Sequence, residues 1–354
     1  MKKKVTIQDI ADALGVSRNT VSKAINNADG LAEATREKIL QKAVEMGYKQ
    51  FSYVFPAAPA PAQDSARESA GGPGEIALFT TMFLNQSHFA SLMLDKLQCD
   101  LSRLGYTLNT HRVTAEDRAS MALPGTFVRE RSAAVVCVEM FDRRYDEMVC
   151  DLGLPVLFVD GPAKLDGEAL PADQLYMDNT FELMKFVNEM LRQGRRRIGF
   201  IGNYEHCQSF FERYLALRNA MLLAGETVDP AHIIKCDSAG EMADMLRALR
   251  EFPEVFLCAN DFVAWDAAHI LSGLGKRIPQ DVGLCGFDDA PESRLITPQL
   301  TTVHIHTQLM AFSAVQLLMA RIREPSLDYR AVYTATDIIY RGSTDFSGAG
   351  GRTE

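Results

Sequence analysis

Two rhythms of apolar residues run along this chain, and the change between them divides it. Near the amino terminus the spacing is helical. Ile7, Ile10, Ala11 and Leu14 share one face of a first helix, with Thr6 as N-cap and Asp9 three residues on, and Gly15 closes it. Ser17 caps a second helix that buries Val21, Ala24 and Ile25 and leaves Arg18, Asn19, Ser22 and Lys23 outward. A third, over 34–46, turns Ile39, Ala43 and Met46 inward, and Gly47 supplies its left-handed end. Two helices joined by a Gly-Val-Ser turn predict a helix-turn-helix, whose second member enters the major groove of DNA.

After residue 75 the rhythm becomes that of buried strands alternating with amphipathic helices. Strands are expected at 76–79, 107–110, 133–138, 156–159, 198–201, 233–236, 255–259 and 282–285. This alternation predicts parallel sheets covered on both faces by helices. About 270 residues exceed one comfortable sheet, so two α/β lobes with a cleft between them are expected. Ligands of such sheets bind at the strands' carboxyl ends, where Asp160, Asn260, Asp261, Asp288 and Asp289 fall. Between the two patterns lies 56–74, with four Pro, three Gly and six Ala and almost nothing to bury, which reads as a disordered linker. The expected organisation is therefore 1–49 as an all-α helix-turn-helix head, 50–74 as hinge and linker, 75–343 as a two-lobed α/β body and 344–354 as a flexible tail.

Charge sharpens that division. Residues 1–49 carry nine Lys/Arg against six Asp/Glu, or +3, so a total of −9 leaves −12 for the rest. A basic head on an acidic body directs any polyanion partner to the head. With 47% apolar and 23% charged residues the chain has an ordinary globular composition, and no apolar run reaches the roughly 18 residues of a membrane span. The segment after Met1-Lys2-Lys3-Lys4 is amphipathic and acidic, unlike the apolar core of a signal peptide, so a cytoplasmic location is expected. Seven scattered cysteines, never spaced as C-x-x-C, argue against a disulfide framework or a zinc site.

No dinucleotide or phosphate-loop glycine motif, zinc-protease motif or hydrolase nucleophile elbow occurs, and no enzyme activity or cofactor is expected. His304 and His306 share one side of a strand but lack a third ligand, so no metal is expected there. Arg195-Arg196-Arg197 reads as a solvated helix-to-strand turn, with a phosphate clamp as the alternative.

The head sequence from Val5 to Asn26, followed by Thr35-Arg36-Glu37-Lys38-Ile39 and Met46-Gly47-Tyr48, resembles the LacI/GalR family of bacterial transcriptional regulators. So do Asp178-Asn179, Gly194 to Gly202, Ser209 to Tyr214, Ala259-Asn260-Asp261, Gly286 to Asp289 and Pro298 to Thr302 in the body. The resemblance implies a homodimer that binds operator DNA, with a body like that of periplasmic sugar-binding proteins and a small effector between its lobes. It places Arg18, Asn19 and Lys23 at base edges, where Arg suits guanine and Asn adenine. Thr6, Thr20, Ser22 and Asn26 belong with them at the DNA surface, positioning the head on phosphates, and the capping Ser17 is counted in the same DNA-binding set.

For the effector it points to Asp160, Arg213, Asn260 and Asp288, a set that suits a polyol ring, so a sugar or sugar phosphate is the first expectation and a purine or nucleoside the second. A plain alternative is that some of these residues merely cap helices after strands. A solute-binding transport component is the rival from another class. Aromatic walls could come from Phe83, Phe89, Tyr204, Phe262, Trp265 or Phe287. The chain departs from the family pattern in 49–57, where Phe55, Pro56 and Ala57 replace the usual hinge-helix residues and predict loose coupling of head to body. It departs again at Ala32, which lacks a capping side chain, and at Ile305, where a polar effector contact is usual.

Overall fold

The computed structural model describes residues 6–25, 74–81, 88–165, 167 and 169–347, with isolated positions 35, 38–39, 42–43 and 46. The chain divides into two compact units, 1–70 and 71–354.

In the first unit, α1 (Ile7–Leu14) and α2 (Arg18–Ile25) follow the expected pattern. Thr6 closes a reciprocal cap: its hydroxyl accepts the Asp9 N–H at 3.3 Å, and Asp9 Oδ2 accepts the Thr6 N–H at 2.7 Å. Gly15 ends α1 at φ 66°, a left-handed conformation that costs glycine least. Ile10, Ala11, Val21, Ala24, Ile39 and Ala43 form the core. Of the third helix, Thr35, Lys38, Ile39, Lys42 and Ala43 are helical. Ala32, Gly47 and the hinge and linker at 50–73 lie outside the described residues.

The second unit runs β1 (Glu75–Thr80), α3 (His88–Arg103), β2 (Thr107–Arg112), α4 (Ala115–Ser120), β3 (Ser132–Val138), α5 (Arg143–Cys150), β4 (Val156–Val159) and β5 (Asp173–Met177). It continues through α6 (Phe181–Arg192), β6 (Ile198–Ile201), α7 (Gln208–Leu223), β7 (Ile233–Ile234), α8 (Ala239–Ala248), β8 (Val255–Cys258), α9 (Asp261–Gly273) and β9 (Gly283–Asp288). It ends with β10 (Thr301–Ile305), α10 (Thr307–Arg323), β11 (Ala331–Thr334) and β12 (Thr336–Ile339).

Two six-stranded sheets result, ordered β11-β5-β4-β3-β1-β2 and β12-β10-β9-β8-β6-β7. All pairs among the described strands are parallel except β10 with β12, so the sheets are the expected parallel ones with one antiparallel edge strand. Central strands such as β4 (VLFV) and β8 (VFLC) are buried at every position, because helices cover both faces.

Three strands differ from the predicted ones, and for β7 and β5 the physical cause is plain. β7 keeps two of its four expected residues, because it is an edge strand paired only through Phe200↔Ile233 and Ile201↔Ile234. β9 extends to Asp288, three residues past the expected end. The unpredicted β5 hides its strand character behind Asp173 and Gln174. Asp173 is buried there because Arg321 donates to it at 3.0 and 3.1 Å and the Arg330 N–H at 2.9 Å.

The chain passes between the lobes three times: at 178–180 between β5 and α6, at His306 between β10 and α10, and at Ala335 between β11 and β12. The three crossings lie side by side. Thr334 accepts the Asp178 N–H at 2.8 Å, the Thr336 hydroxyl donates to the Asp178 carbonyl at 2.9 Å, and Ile305 pairs with Thr336. The ordered body also runs past 343, where a flexible tail was expected. Thr344 is buried, and the Arg195 guanidinium lies 3.8 Å from the Phe346 ring centroid. Residues 348–354 lie outside the described residues.

Candidate functional site

In the head, Arg18, Asn19 and Lys23 are exposed on α2, and Thr20 and Ser22 are half-buried beside them. Ser17 caps α2: its Oγ accepts the Thr20 N–H at 3.0 Å and pairs with the Thr20 hydroxyl at 2.7 Å. Thr6 is engaged in the same way on α1, so these two hydroxyls set helix starts. Asn26 lies outside the described residues.

In the body, Asp160, Arg213 and Asp288 come together at the carboxyl ends of strands from both lobes. Arg213 reaches in from α7 and is 3% exposed. Its Nε donates to Asn179 Oδ1 at 2.9 Å, and Nη1 donates to the Ala259 carbonyl at 2.6 Å. Its Nη2 stands 3.7 Å from Asp288 Oδ1, and the guanidinium lies 3.5 Å from the Phe287 ring centroid. Asp160, after β4, accepts the Ser209 N–H at 3.2 Å and so also serves the start of α7. Asn260 caps α9 by accepting the Val263 N–H at 2.9 Å, and its neighbour Ala259 holds Arg213. The helix-capping alternative is thus met in part at Asp160 and Asn260.

Burial pushes the Asp288 carboxyl up to about 7, with Arg213 opposing and the charges of Glu139 and Asp160 adding to the rise. The Asp160 carboxyl is also raised, by burial first, against hydrogen bonds at Gly161 and Ser209 and the Arg213 charge. Glu139, Asp160 and Asp288 adopt φ of 57°, 60° and 114°, conformations that cost a residue other than glycine roughly 1–3 kcal/mol each. Strain of that kind concentrates where side chains are held for a ligand.

The neighbouring acids do structural work. Asp261 is buried and accepts the Thr302 hydroxyl at 2.6 Å and the Ala290 N–H at 2.8 Å. Gly286 makes room for it, since a Cβ there would collide with the Asp261 carboxylate. Asp289 is held below the usual carboxylate range: burial works to raise it, but hydrogen bonds from His304 and Arg341 prevail.

Other sequence candidates resolve differently. Tyr204 stacks on Tyr214 at 4.3 Å and Trp265 packs on His269 at 4.8 Å, whereas Phe262 is exposed. Phe83 and the Phe89 side chain lie outside the described residues. His304 and His306 pair with Asp289 and Asp337, at 3.1 and 3.0 Å. Arg195, Arg196 and Arg197 are taken by Glu254, Glu226 and Glu251, so the phosphate-clamp alternative loses its free cations. Ile305 is buried in β10.

Two residues of the cleft were not singled out from the sequence. Asn179 orients Arg213, and the quoted Asp178-Asn179 pair was its signal. Glu139 follows β3 as Asp160 follows β4, an equivalence visible once the strands are placed.

Residues 6–50 match the family described as bacterial regulatory proteins, lacI family, and residues 187–344 match the periplasmic binding protein-like domain. The chain thus carries a lacI-family regulatory domain at 6–50 and a periplasmic-binding-protein-like domain at 187–344. It is 27% identical over 353 residues to the HTH-type transcriptional repressor PurR of Vibrio atlanticus (strain LGP32), covering 96% of this chain and 98% of that one. The same-named repressor of Vibrio cholerae serotype O1 (strain M66-2) is 27% identical over 345 residues, covering 95% and 97%. Among solved structures, the transcriptional regulator CelR in complex with cellobiose superposes with a TM-score of 0.64 at 22% identity, covering 96% of this chain and all of that one. The lac repressor dimer bound to operator and the anti-inducer ONPF gives 0.64 at 20% identity, covering 97% and 99%. The chain is a DNA-binding transcriptional regulator. No described helix is long and apolar enough to cross a membrane.

Proposed function

We propose that this regulator is a homodimeric repressor in which α2 of each protomer reads an operator half-site, while a small polar effector between the lobes sets the affinity for DNA. Arg18, Asn19 and Lys23 serve as the base-reading set, and Asp160, Arg213, Asn260 and Asp288 as the effector set. The observation that carries the effector half is the meeting of Arg213 and Asp288 from one lobe with Asp160 from the other. A ligand gripping all of them favours one lobe arrangement over another, and that differential affinity is what an effector needs.

Sugars are the first class, because carboxylates, Asn and Arg together satisfy paired hydroxyls. The faces of Phe287 and Tyr204 are already covered by Arg213 and Tyr214, which weighs against stacking a base on them. A purine or nucleoside is the second reading, favoured by the relatives named PurR.

Gel shifts against DNA upstream of the gene, with and without a panel of sugars and purines, test the proposal. Arg18→Ala or Asn19→Ala should cost about 1–3 kcal/mol and relax base preference in each half-site. Unchanged affinity and preference in Arg18→Ala would remove α2 from the reading role.

A further inference from the structure

We propose that Glu212 is a positioning residue that ties the pose of Arg213 to the angle between the lobes, so that effector and lobe movement act on each other through one carboxylate. This rests on the effector reading above and adds its coupling step.

Glu212 precedes Arg213 on α7 and is half-buried. Its two oxygens are held from different directions. Oε2 accepts the Asn179 side-chain amide at 2.8 Å, while Oε1 accepts the Tyr333 hydroxyl at 3.0 Å and the Gln208 amide at 2.9 Å. Tyr333 belongs to β11 of the first lobe, just before the crossing at Ala335, and its ring stacks on Tyr176 at 5.1 Å. Gln208 is held from the same lobe, because its Oε1 accepts the Lys164 N–H at 2.9 Å. One oxygen of Glu212 is therefore fixed by the first lobe, and the other by the crossing at 178–180.

Asn179 passes this on to Arg213. The two ends of a carboxamide are nearly equal in size, and their partners decide which end points where. Asn179 Nδ2 also reaches the Met177 carbonyl at 3.1 Å and Ser209 Oγ at 3.3 Å, but Glu212 is the nearest of the three acceptors and the charged one among them. A charged acceptor makes such a bond about twice as strong as a neutral one. With Nδ2 held there, Oδ1 is left to accept from Arg213 Nε at 2.9 Å. The opposite orientation would set two donors against each other beside a guanidinium that is 3% exposed, and a buried donor without an acceptor is costly. Opening the lobes draws Tyr333 and Lys164 away from α7, lets Gln208 turn and frees the carboxylate to rotate off Asn179. Arg213 then loses its fixed acceptor. A ligand that fixes Arg213 pulls the same chain the other way.

The test follows solvent exchange of the Arg213 Nε–H by NMR in the full chain labelled with 15N-arginine, the signal being assigned by its loss in Arg213→Lys. Arg321 is the internal control: it is also buried, its Nε donates to Asp173 at 3.0 Å, and it bonds to none of the residues of the chain above. Glu212→Ala should speed Arg213 exchange about tenfold or more, and Tyr333→Phe, which removes one hydroxyl that touches neither Asn179 nor Arg213, about threefold. Arg321 should stay within about twofold in both, and Glu212→Gln, which still accepts from Asn179, should restore most of the Arg213 protection.

Unchanged Arg213 exchange in Glu212→Ala, equal acceleration at Arg213 and Arg321, or a Tyr333→Phe protein indistinguishable from the native one would each overturn the proposal. The effector reading fails separately, if the exchange rates change as stated but a sugar or purine shifts operator affinity equally in the native chain and in Arg213→Lys. It stands, without the coupling step, if that shift is lost in Arg213→Lys while Arg213 exchange ignores Glu212 and Tyr333.

Discussion

Asp146 on α5 is fully buried, and neither of its carboxylate oxygens has a hydrogen-bond partner; the Nε of Arg118, whose charge acts on it, is likewise buried and unpaired. Burial pushes its carboxyl up to about 8, the charges of Asp142 and Glu147 add to the rise, and Arg118 opposes it. A folded-state value above the unfolded one means that the native protein holds a proton which the unfolded chain gives up. Stability from this group is therefore full below about pH 4 and is lost as pH rises toward 8. Chemical denaturation at stepped pH should show Asp146→Asn gaining on the native protein by up to about 1.4 kcal/mol per pH unit between pH 5 and 8, then levelling off. A pH-independent difference would show that Asp146 is ionised in the fold. Legibility at this scale follows chain distance. Thr6 and Ser17 are readable because their partners lie three residues away, whereas Asp173 is stabilised by Arg321 148 residues on. Asp160 and Asp288 are readable as acids at the ends of apolar runs, but nothing local announces an unpaired acid such as Asp146.

At the scale of elements, α7 joins the effector set to the crossing at 178–180. Asn179 accepts from Arg213, and its own amide donates to Glu212 at 2.8 Å and to the Met177 carbonyl at 3.1 Å. Removing that side chain frees Arg213 Nε while leaving α1 and α2 untouched. Asn179→Ala should reduce effector affinity about tenfold and blunt the response of DNA binding, while binding to operator without effector stays within about twofold. Calorimetry beside gel shifts checks this, and an unchanged effector response would show that Arg213 holds its pose without the crossing. The buried helical and strand stripes were legible because helices at the head and sheets in the body each impose one period. β11 and β12 were not, since edge strands of four residues carry no continuous apolar run.

For the whole molecule, one contact joins the lobes through ring packing: Phe141, after β3, meets His206, after β6, edge to face at 4.9 Å. Phe141→Ala should loosen that closure, so small-angle scattering of the effector-free protein should give a larger radius of gyration, with effector affinity lower and operator binding retained. An unchanged scattering profile would assign closure to other contacts. The two-lobed plan was legible from the alternation of strands and helices, but the triple crossing was not, because it depends on β11 and β12. Its consequence is mechanical. A body joined through a single strand could swivel in any direction, but three ties laid edge to edge form a strap hinge, stiff to twist and shear and compliant in one bending direction. Whatever the ligand pulls on, its work is delivered as a single angle.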